Sequence, residues 1–333
     1  MNRMKMLTIA GFLGSCLVSS YAQDQAAFQK ACATGAGSSD IAVNGKDNWC
    51  FLKSELRHLS VGDFWSEQSA KTAQATDPKA KDPLKAILAY KALLDKENIK
   101  LIVMPVPPKA VIYPDKLAGV SLPVKRYDVS LQKFYQELRK EGVQVLDLTD
   151  ALLKARNSDS EPLYCLGDSH FSGEGCKVIA QVLAAELMKD SKLQGKNKYS
   201  VTKDKISFKG DLYKVAKGMP SSEERTVYYV KGETKDVASP VLLFGDSHTL
   251  VFDTGGDLYA SQAGLASQLA AALGMPVDVI GVRGSGATPS RINIYRRSKQ
   301  EKDFLKKKKV FVWCFAAREF TEATSWSSEV PLK

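Results

Sequence analysis

Pro240-Val241-Leu242-Leu243-Phe244-Gly245-Asp246-Ser247-His248 is the stretch on which the fold turns. An uncharged apolar run, too short for a helix of its own, leads straight into Gly-Asp-Ser. It reads as a strand buried on both faces that ends in a tight, glycine-led turn and lifts a serine hydroxyl clear of the sheet. Outward from it, apolar residues at helical spacing alternate with short apolar runs. Helices are expected over 82–97, 127–140, 175–188, 261–273 and 290–305, and strands over 99–106, 143–148, 241–244, 277–282 and 310–315. Near-continuously apolar strands separated by amphipathic helices predict a parallel sheet covered on both sides. The fold class is therefore α/β, a three-layer α/β/α sandwich with a mainly parallel sheet. Residues 190–239, rich in Lys, Ser, Gly and Glu, break the rhythm and read as an insertion in a single domain spanning 23–333.

A chain of 333 residues with 44% hydrophobic content can bury a large core, which excludes a disordered protein. Arg3 and Lys5 precede an apolar stretch, and Ser20-Tyr21-Ala22 offers a small-x-small site, so residues 1–22 read as a secretory signal. Two other readings stand beside it: a lipoprotein box at Leu13-Gly14-Ser15-Cys16, and an uncleaved N-terminal anchor. Residues 23–48 are small and polar, and folded structure is expected to begin at Gly45. The net charge is +10, of which Arg3 and Lys5 leave with the signal. The densest run, Lys306-Lys307-Lys308-Lys309, reads as a solvated helix end whose cations complement the dipole, or as a contact for an anionic polymer. An exported chain without a recognisable binding motif gives no reason to expect nucleic acid. No Cys/His spacing suggests a metal, and no cofactor motif is present. Export implies an oxidising compartment, and Cys32–Cys50 and Cys165–Cys176 are the sequence-near pairs expected to bridge, leaving Cys314 a buried free thiol. The second bridge would brace the loop that carries Asp168 and His170.

Two of only three histidines occur in Asp-Ser-His, at Asp168-Ser169-His170 and Asp246-Ser247-His248. A serine hydroxyl is a weak nucleophile until a base removes its proton. Ser247 is the candidate nucleophile, His170 the base and Asp168 its orienting carboxylate. His58 lies in a charged helical segment, and His248 directly follows the nucleophile, which makes both poorer bases. Asp246 is expected to brace the turn. Ligands of open α/β sheets gather at the carboxyl ends of the strands. The Ser247 N–H and the loop Gly284-Ser285-Gly286 after strand 277–282 are placed there as oxyanion donors, although Gly284 and Gly286 are equally readable as plain turn residues.

These residues resemble the SGNH-hydrolase-like polysaccharide O-acetyltransferases, the family of the alginate acetylation proteins AlgJ and AlgX. The resemblance rests on Gly45-Lys46-Asp47-Asn48-Trp49-Cys50-Phe51, on Pro105-Val106-Pro107-Pro108-Lys109 followed by Tyr113-Pro114-Asp115-Lys116-Leu117, and on Asp168-Ser169-His170-Phe171 with Gly173 and Gly175. Gly210-Asp211-Leu212, the Gly245-Asp246-Ser247 turn and Arg318-Glu319 after the last strand complete it, in the family's order. Asn48, Cys50 and Phe171 depart from its pattern. An Asp-x-His ahead of the serine separates this family from ordinary SGNH esterases. The resemblance implies a Ser247-His170-Asp168 triad, an acetyl-serine intermediate and an acidic exopolysaccharide such as alginate as acceptor. It also implies a periplasmic location and a membrane-bound partner that supplies acetyl groups. Arg283 and Arg318 are candidates to bind a uronate carboxylate or to form structural salt bridges. A carbohydrate acetylesterase using the same triad is the alternative activity.

Overall fold

The computed structural model describes residues 8–156 and 161–333, with side chains from residue 21 onward. Among the described residues, nine strands form three sheets: β1 (Ala42–Asn44), β2 (Cys50–Leu52), β3 (Lys100–Val106), β4 (Gln144–Val145), β5 (Ser200–Phe208), β6 (Glu223–Lys231), β7 (Val241–Gly245), β8 (Asp278–Gly281) and β9 (Val310–Ala316). The central sheet runs β4-β3-β9-β7-β8 with every neighbour parallel. β1–β2 and β5–β6 are separate antiparallel ribbons.

Period-two alternation sends successive residues of each buried strand to opposite faces. Ile102, Met104, Leu243, Val312 and Cys314 join one core with helices Gly173–Leu187 and Leu265–Leu273. Val103, Leu242, Phe244, Phe311 and Trp313 join the other, with helices Pro83–Lys96 and Val129–Lys140. The strands read as continuous apolar runs because both of their faces are covered, which is the three-layer α/β arrangement expected. Ser172 marks where the helix after the second histidine begins, its hydroxyl accepting from the Gly175 N–H at 3.2 Å.

Four expectations need correction. The fold begins before Gly45: helix Thr8–Ala36 carries Phe28 and Cys32, both fully buried, into the first core. The helix over 290–305 stops at Gln300 and is followed by a separate short turn, Phe304–Lys307. Lys308 is no solvated helix end; its buried ammonium donates to Asp278 Oδ2 at 2.6 Å and to the Val237 and Ser239 carbonyls at 2.9 and 2.8 Å. The cysteines do not bridge. Cys32, Cys50, Cys165, Cys176 and Cys314 are free and buried. Cys50 lies with Leu212 and Tyr213 in a different cluster from Cys32, and the Cys165 thiol faces the Phe171 carbonyl. Residues 1–7 of the expected leader lie outside the described residues, and its remainder opens helix Thr8–Ala36. Among those described, no helix is long and apolar enough to cross a membrane.

Candidate functional site

Four loops meet at the carboxyl edge of the sheet, those that follow β3, β7, β8 and β9. The β7 turn is a tight one. Gly245 has φ +152, and a Cβ there would lie 1.5 Å from the Cys314 carbonyl oxygen of β9, so only glycine lets the chain turn at this point. The next carboxylate locks the turn: Asp246 Oδ1 accepts the His248 N–H at 2.9 Å and faces its Nδ1 at 3.0 Å, while Oδ2 accepts the Ala316 N–H at 2.7 Å. Ser247 is left half-buried at the start of a 3-10 turn.

The other tripeptide arrives in a loop just ahead of helix Gly173–Leu187. His170 Nε2 lies 2.7 Å from Ser247 Oγ, and His170 Nδ1 lies 2.6 Å from Asp168 Oδ1. The same oxygen accepts the His170 N–H at 3.0 Å, and Oδ2 accepts the Asp211 N–H at 2.8 Å and the Tyr259 hydroxyl. Burial would raise the Asp168 carboxyl, but the His170 imidazole, the Tyr259 hydroxyl and the Asp211 N–H hold it below the usual carboxylate range. For His170, burial pulls the pKa down while Asp168, Asp211 and Asp246 push it up, with a net rise. Such an arrangement can take a proton from the hydroxyl and stabilise the resulting imidazolium.

No bridge braces this loop, so polar contacts do. Lys109 Nζ, wholly buried, donates to the Asp168, Cys50 and Leu166 carbonyls at 2.6, 2.9 and 3.3 Å. Glu223 of β6 accepts the Leu166 and Gly167 N–H groups, each at 2.8 Å, and Asp211 accepts the Ser169 N–H at 2.7 Å. The asparagine–cysteine departures fall in the same cradle, where Tyr213 donates to the Asn48 carbonyl at 2.6 Å.

The Gly284-Ser285-Gly286 loop lies against the serine turn, since a Cβ on Gly286 would sit 2.7 Å from the Asp246 nitrogen. Neither the Ser247 nor the Gly286 N–H finds an acceptor among the described residues, which leaves both able to meet a developing oxyanion. Gly284 turns the chain at φ +95, with open space where a Cβ would be. Ser285 donates to Glu319 at 2.6 Å, and burial raises that carboxyl to about 7 despite the neighbouring Arg318. Both arginines are engaged by protein carboxylates. Arg283 makes a bidentate, exposed pair with Asp257 at 2.5 and 2.6 Å, and Arg318 pairs with Glu55 at 3.1 Å, largely buried. His58 is buried against Thr321, with its pKa pushed down to about 3 by burial. Asp168, His170 and Asp211 offer ligand atoms within 4.8 Å of one another, yet their oxygens and the Nδ1 are already committed to hydrogen bonds, so this donor set does not fit a metal. Sequence reading assigned no role to Lys109, Asp211, Glu223, Tyr259 or Glu319. The motifs Pro-Pro-Lys109, Gly-Asp211-Leu and Arg-Glu319 carried a signal for three of them.

A parallel sheet with a serine turn at its carboxyl edge, met by an imidazole and a carboxylate from one tripeptide, defines an SGNH-hydrolase-like α/β protein. The chain belongs to the family described as SGNH hydrolase-like domain, acetyltransferase AlgX, which matches residues 42–317. Over 172 residues it is 26% identical to proteins named probable alginate O-acetylase AlgJ from Pseudomonas syringae pv. tomato and Pseudomonas aeruginosa; the match covers 51% of this chain and 40% and 39% of theirs. The chain thus matches well under half the length of these curated relatives. Among solved structures, the O-acetyltransferase domain of Pseudomonas putida AlgJ superposes with a TM-score of 0.65 at 21% identity, covering 87% of this chain and 95% of that one. Pseudomonas aeruginosa AlgX gives a TM-score of 0.59 at 18% identity, covering 83% and 61%. At these identities the superpositions speak for the fold.

Proposed function

We propose that this chain is an exported O-acetyltransferase that carries an acetyl group on Ser247 and delivers it to hydroxyls of an acidic exopolysaccharide such as alginate. The relay from Ser247 Oγ through His170 to Asp168, at 2.7 and 2.6 Å, is the observation that carries the reading. His170 takes the serine proton as Oγ attacks the carbonyl carbon of an acetyl ester; the bond to the donor oxygen breaks and His170 returns the proton to that leaving oxygen. In the second half, His170 takes the proton of a sugar hydroxyl, that oxygen attacks the acetyl-serine carbonyl carbon, the bond from that carbon to Oγ breaks, and His170 returns the proton to Ser247. The Ser247 and Gly286 N–H groups stabilise the oxyanion in both halves.

The family relationship and the AlgJ relatives support the acetyl group and the acceptor class. A uronate carboxylate that used Arg283 would first displace Asp257. The exported, periplasmic placement rests on the N-terminal residues, and a membrane-bound partner would supply the acetyl donor. Residues 23–333 would form the catalytic unit, with 190–239 inserted to hold the base loop. Purified protein is incubated with a chromogenic acetyl ester, with and without mannuronate oligomers, and the sugars are analysed by mass spectrometry. Acetylated oligomer is expected, and Ser247→Ala should lose about 10⁴ to 10⁶ in turnover. Acetate without acetylated sugar would make the protein an esterase; an active alanine variant would remove Ser247 from the reaction.

A further inference from the structure

We infer that Tyr259 is a positioning residue that fixes the Asp168 carboxylate and sets the basicity of His170, an assignment that rests on reading Ser247, His170 and Asp168 as the reacting set.

The backbone shows that Tyr259 is held where it is at a cost. Residues 252–262 leave the serine turn and fold back on themselves, and Phe252, Gly255, Gly256, Tyr259 and Gln262 all have positive φ, from 53 to 78°. Two are glycines, for which this is free; the other three are L-residues, for which it is not. Tyr259, at φ 78 and ψ −70, is the centre of a turn closed by the Ala260 N–H on the Leu258 carbonyl at 3.1 Å. This γ-turn of positive φ is rare and strained, and such strain persists where the surroundings over-determine it, often at functional sites. Here the surroundings are the ring and its hydroxyl. The ring stacks on Phe208 at 4.1 Å and touches Phe252 at 5.6 Å. The hydroxyl donates to Asp168 Oδ2, the oxygen turned away from the His170 ring.

The hydrogen-bond pattern gives the consequence. Asp168 receives two donors on each oxygen: the His170 N–H and ring nitrogen on one, the Asp211 N–H and the Tyr259 hydroxyl on the other. A carboxylate so filled cannot swivel, and neither can the imidazole it orients. The phenol also spreads the carboxylate's charge. The other charged and titratable groups facing the pair are Asp211, Asp246 and His248, with Lys109 on the Asp168 carbonyl. Burial and the Asp168 charge push the phenol well above its ordinary pKa, so it stays a donor through the working range. Without it, Asp168 becomes a stronger base and holds the proton of His170 more tightly.

Tyr259→Phe removes one oxygen and keeps the stack on Phe208. The chain has three histidines, so the imidazole signals are few enough to follow individually by NMR as pH is varied. The His170 pKa is expected to rise by about half a unit or more, moving the acid limb of kcat/KM to higher pH by the same amount. Loss of a hydrogen bond to a charged acceptor should lower kcat by about tenfold, with KM little changed. A residue that merely packed would leave the His170 titration where it was. An unmoved titration with unchanged kcat, alongside an inactive Ser247→Ala protein, overturns the role of Tyr259 and leaves the catalytic reading intact. An active Ser247→Ala protein fails the catalytic reading instead, while the imidazole titration still reports whether Tyr259 acts on His170.

Discussion

Replacing Gly245 with alanine tests the link between the sheet and the serine. A Cβ at this position would lie 1.5 Å from the Cys314 carbonyl oxygen and 2.6 Å from its carbon, where ordinary contact begins at 3.4 Å. The β7 turn and β9 must therefore part by about 1.9 Å, because neither partner is a flexible side chain. That shift breaks the Asp246 N–H bond to the Cys314 carbonyl, 3.2 Å, and the Ala316 N–H bond to the Asp246 carboxylate, 2.7 Å. The neutral bond contributes about 1 kcal/mol and the charged one about 1.5–3 kcal/mol. Strain at positive φ adds about 1–3 kcal/mol. The sum is about 3.5–7 kcal/mol, or a fall in Tm of roughly 5–10 °C for a chain of 333 residues. Ser247 moves with the turn, so its 2.7 Å contact with His170 is lost and activity goes with it. Gly62→Ala is the matched control: its φ is +78, but a Cβ there meets nothing within 4 Å, so it should cost only about 1–2 kcal/mol. Differential scanning calorimetry of both variants and hydrolysis of an acetyl ester provide the readout. A Gly245→Ala protein that melts within about 1–2 °C of the Gly62→Ala protein, on the order of 1 kcal/mol, would refute the argument.

Glu319 gives stability a pH dependence of known sign. Burial holds its carboxyl at about 7 in the fold, above the 4.5 of the free group, so its contribution is complete below about pH 4.5 and is lost as pH rises through 7. Glu319→Gln should match the wild type near pH 4 and exceed it by about 1–3 kcal/mol at pH 8, measured by urea denaturation; a difference that does not change with pH contradicts this. The cysteines predict indifference to reductant. Cys32, Cys50, Cys165, Cys176 and Cys314 are buried thiols, and burial raises the pKa of each, that of Cys50 to about 11. The Tm should be the same with and without dithiothreitol, and a thiol reagent should label these residues only after denaturation; a melt that falls on reduction would restore the bridges.

The sheet was legible because strands buried on both faces leave an unbroken apolar signature, as in 241–244 and 310–315. Edges were less legible. The strand expected over 143–148 pairs only through Gln144–Val145, where the chain turns away from β3 toward Thr149. The helix expected from 261 begins at Leu265, because Ser261 is used in a bridge to Thr254. The relay itself was readable from the scarcity of histidine, which left few choices of base. Its supports were not. Glu223 and Tyr259 act through contacts more than fifty residues away, and nothing local distinguishes them from ordinary strand and loop residues. The bridges failed for a related reason: nearness in sequence fixes neither the direction of two Cβ atoms nor the cluster in which each thiol is packed.

The two Asp-Ser-His tripeptides make the same local structure. In each, one carboxylate oxygen accepts the backbone N–H two residues on and faces that residue's Nδ1, at 3.0 and 2.6 Å for His170 and at 2.9 and 3.0 Å for His248. The tripeptide is therefore a turn that orients an imidazole, and by itself it does not specify chemistry. The second oxygen separates the two. In Asp246 it is spent on the Ala316 N–H at the end of β9, which ties the turn to the sheet and buries His248 with its Nε2 unpartnered among the described residues. In Asp168 it is spent on Asp211 and Tyr259, outside the sheet, so this turn is mounted on loops and presents His170 Nε2 to the serine. One copy thus holds the Ser247 hydroxyl still and the other brings the His170 imidazole to it. That division explains why the sheet strands alone could not have placed the site: half of it is carried by β7 and β9, and half by a loop that the β5–β6 ribbon and Lys109 keep in position.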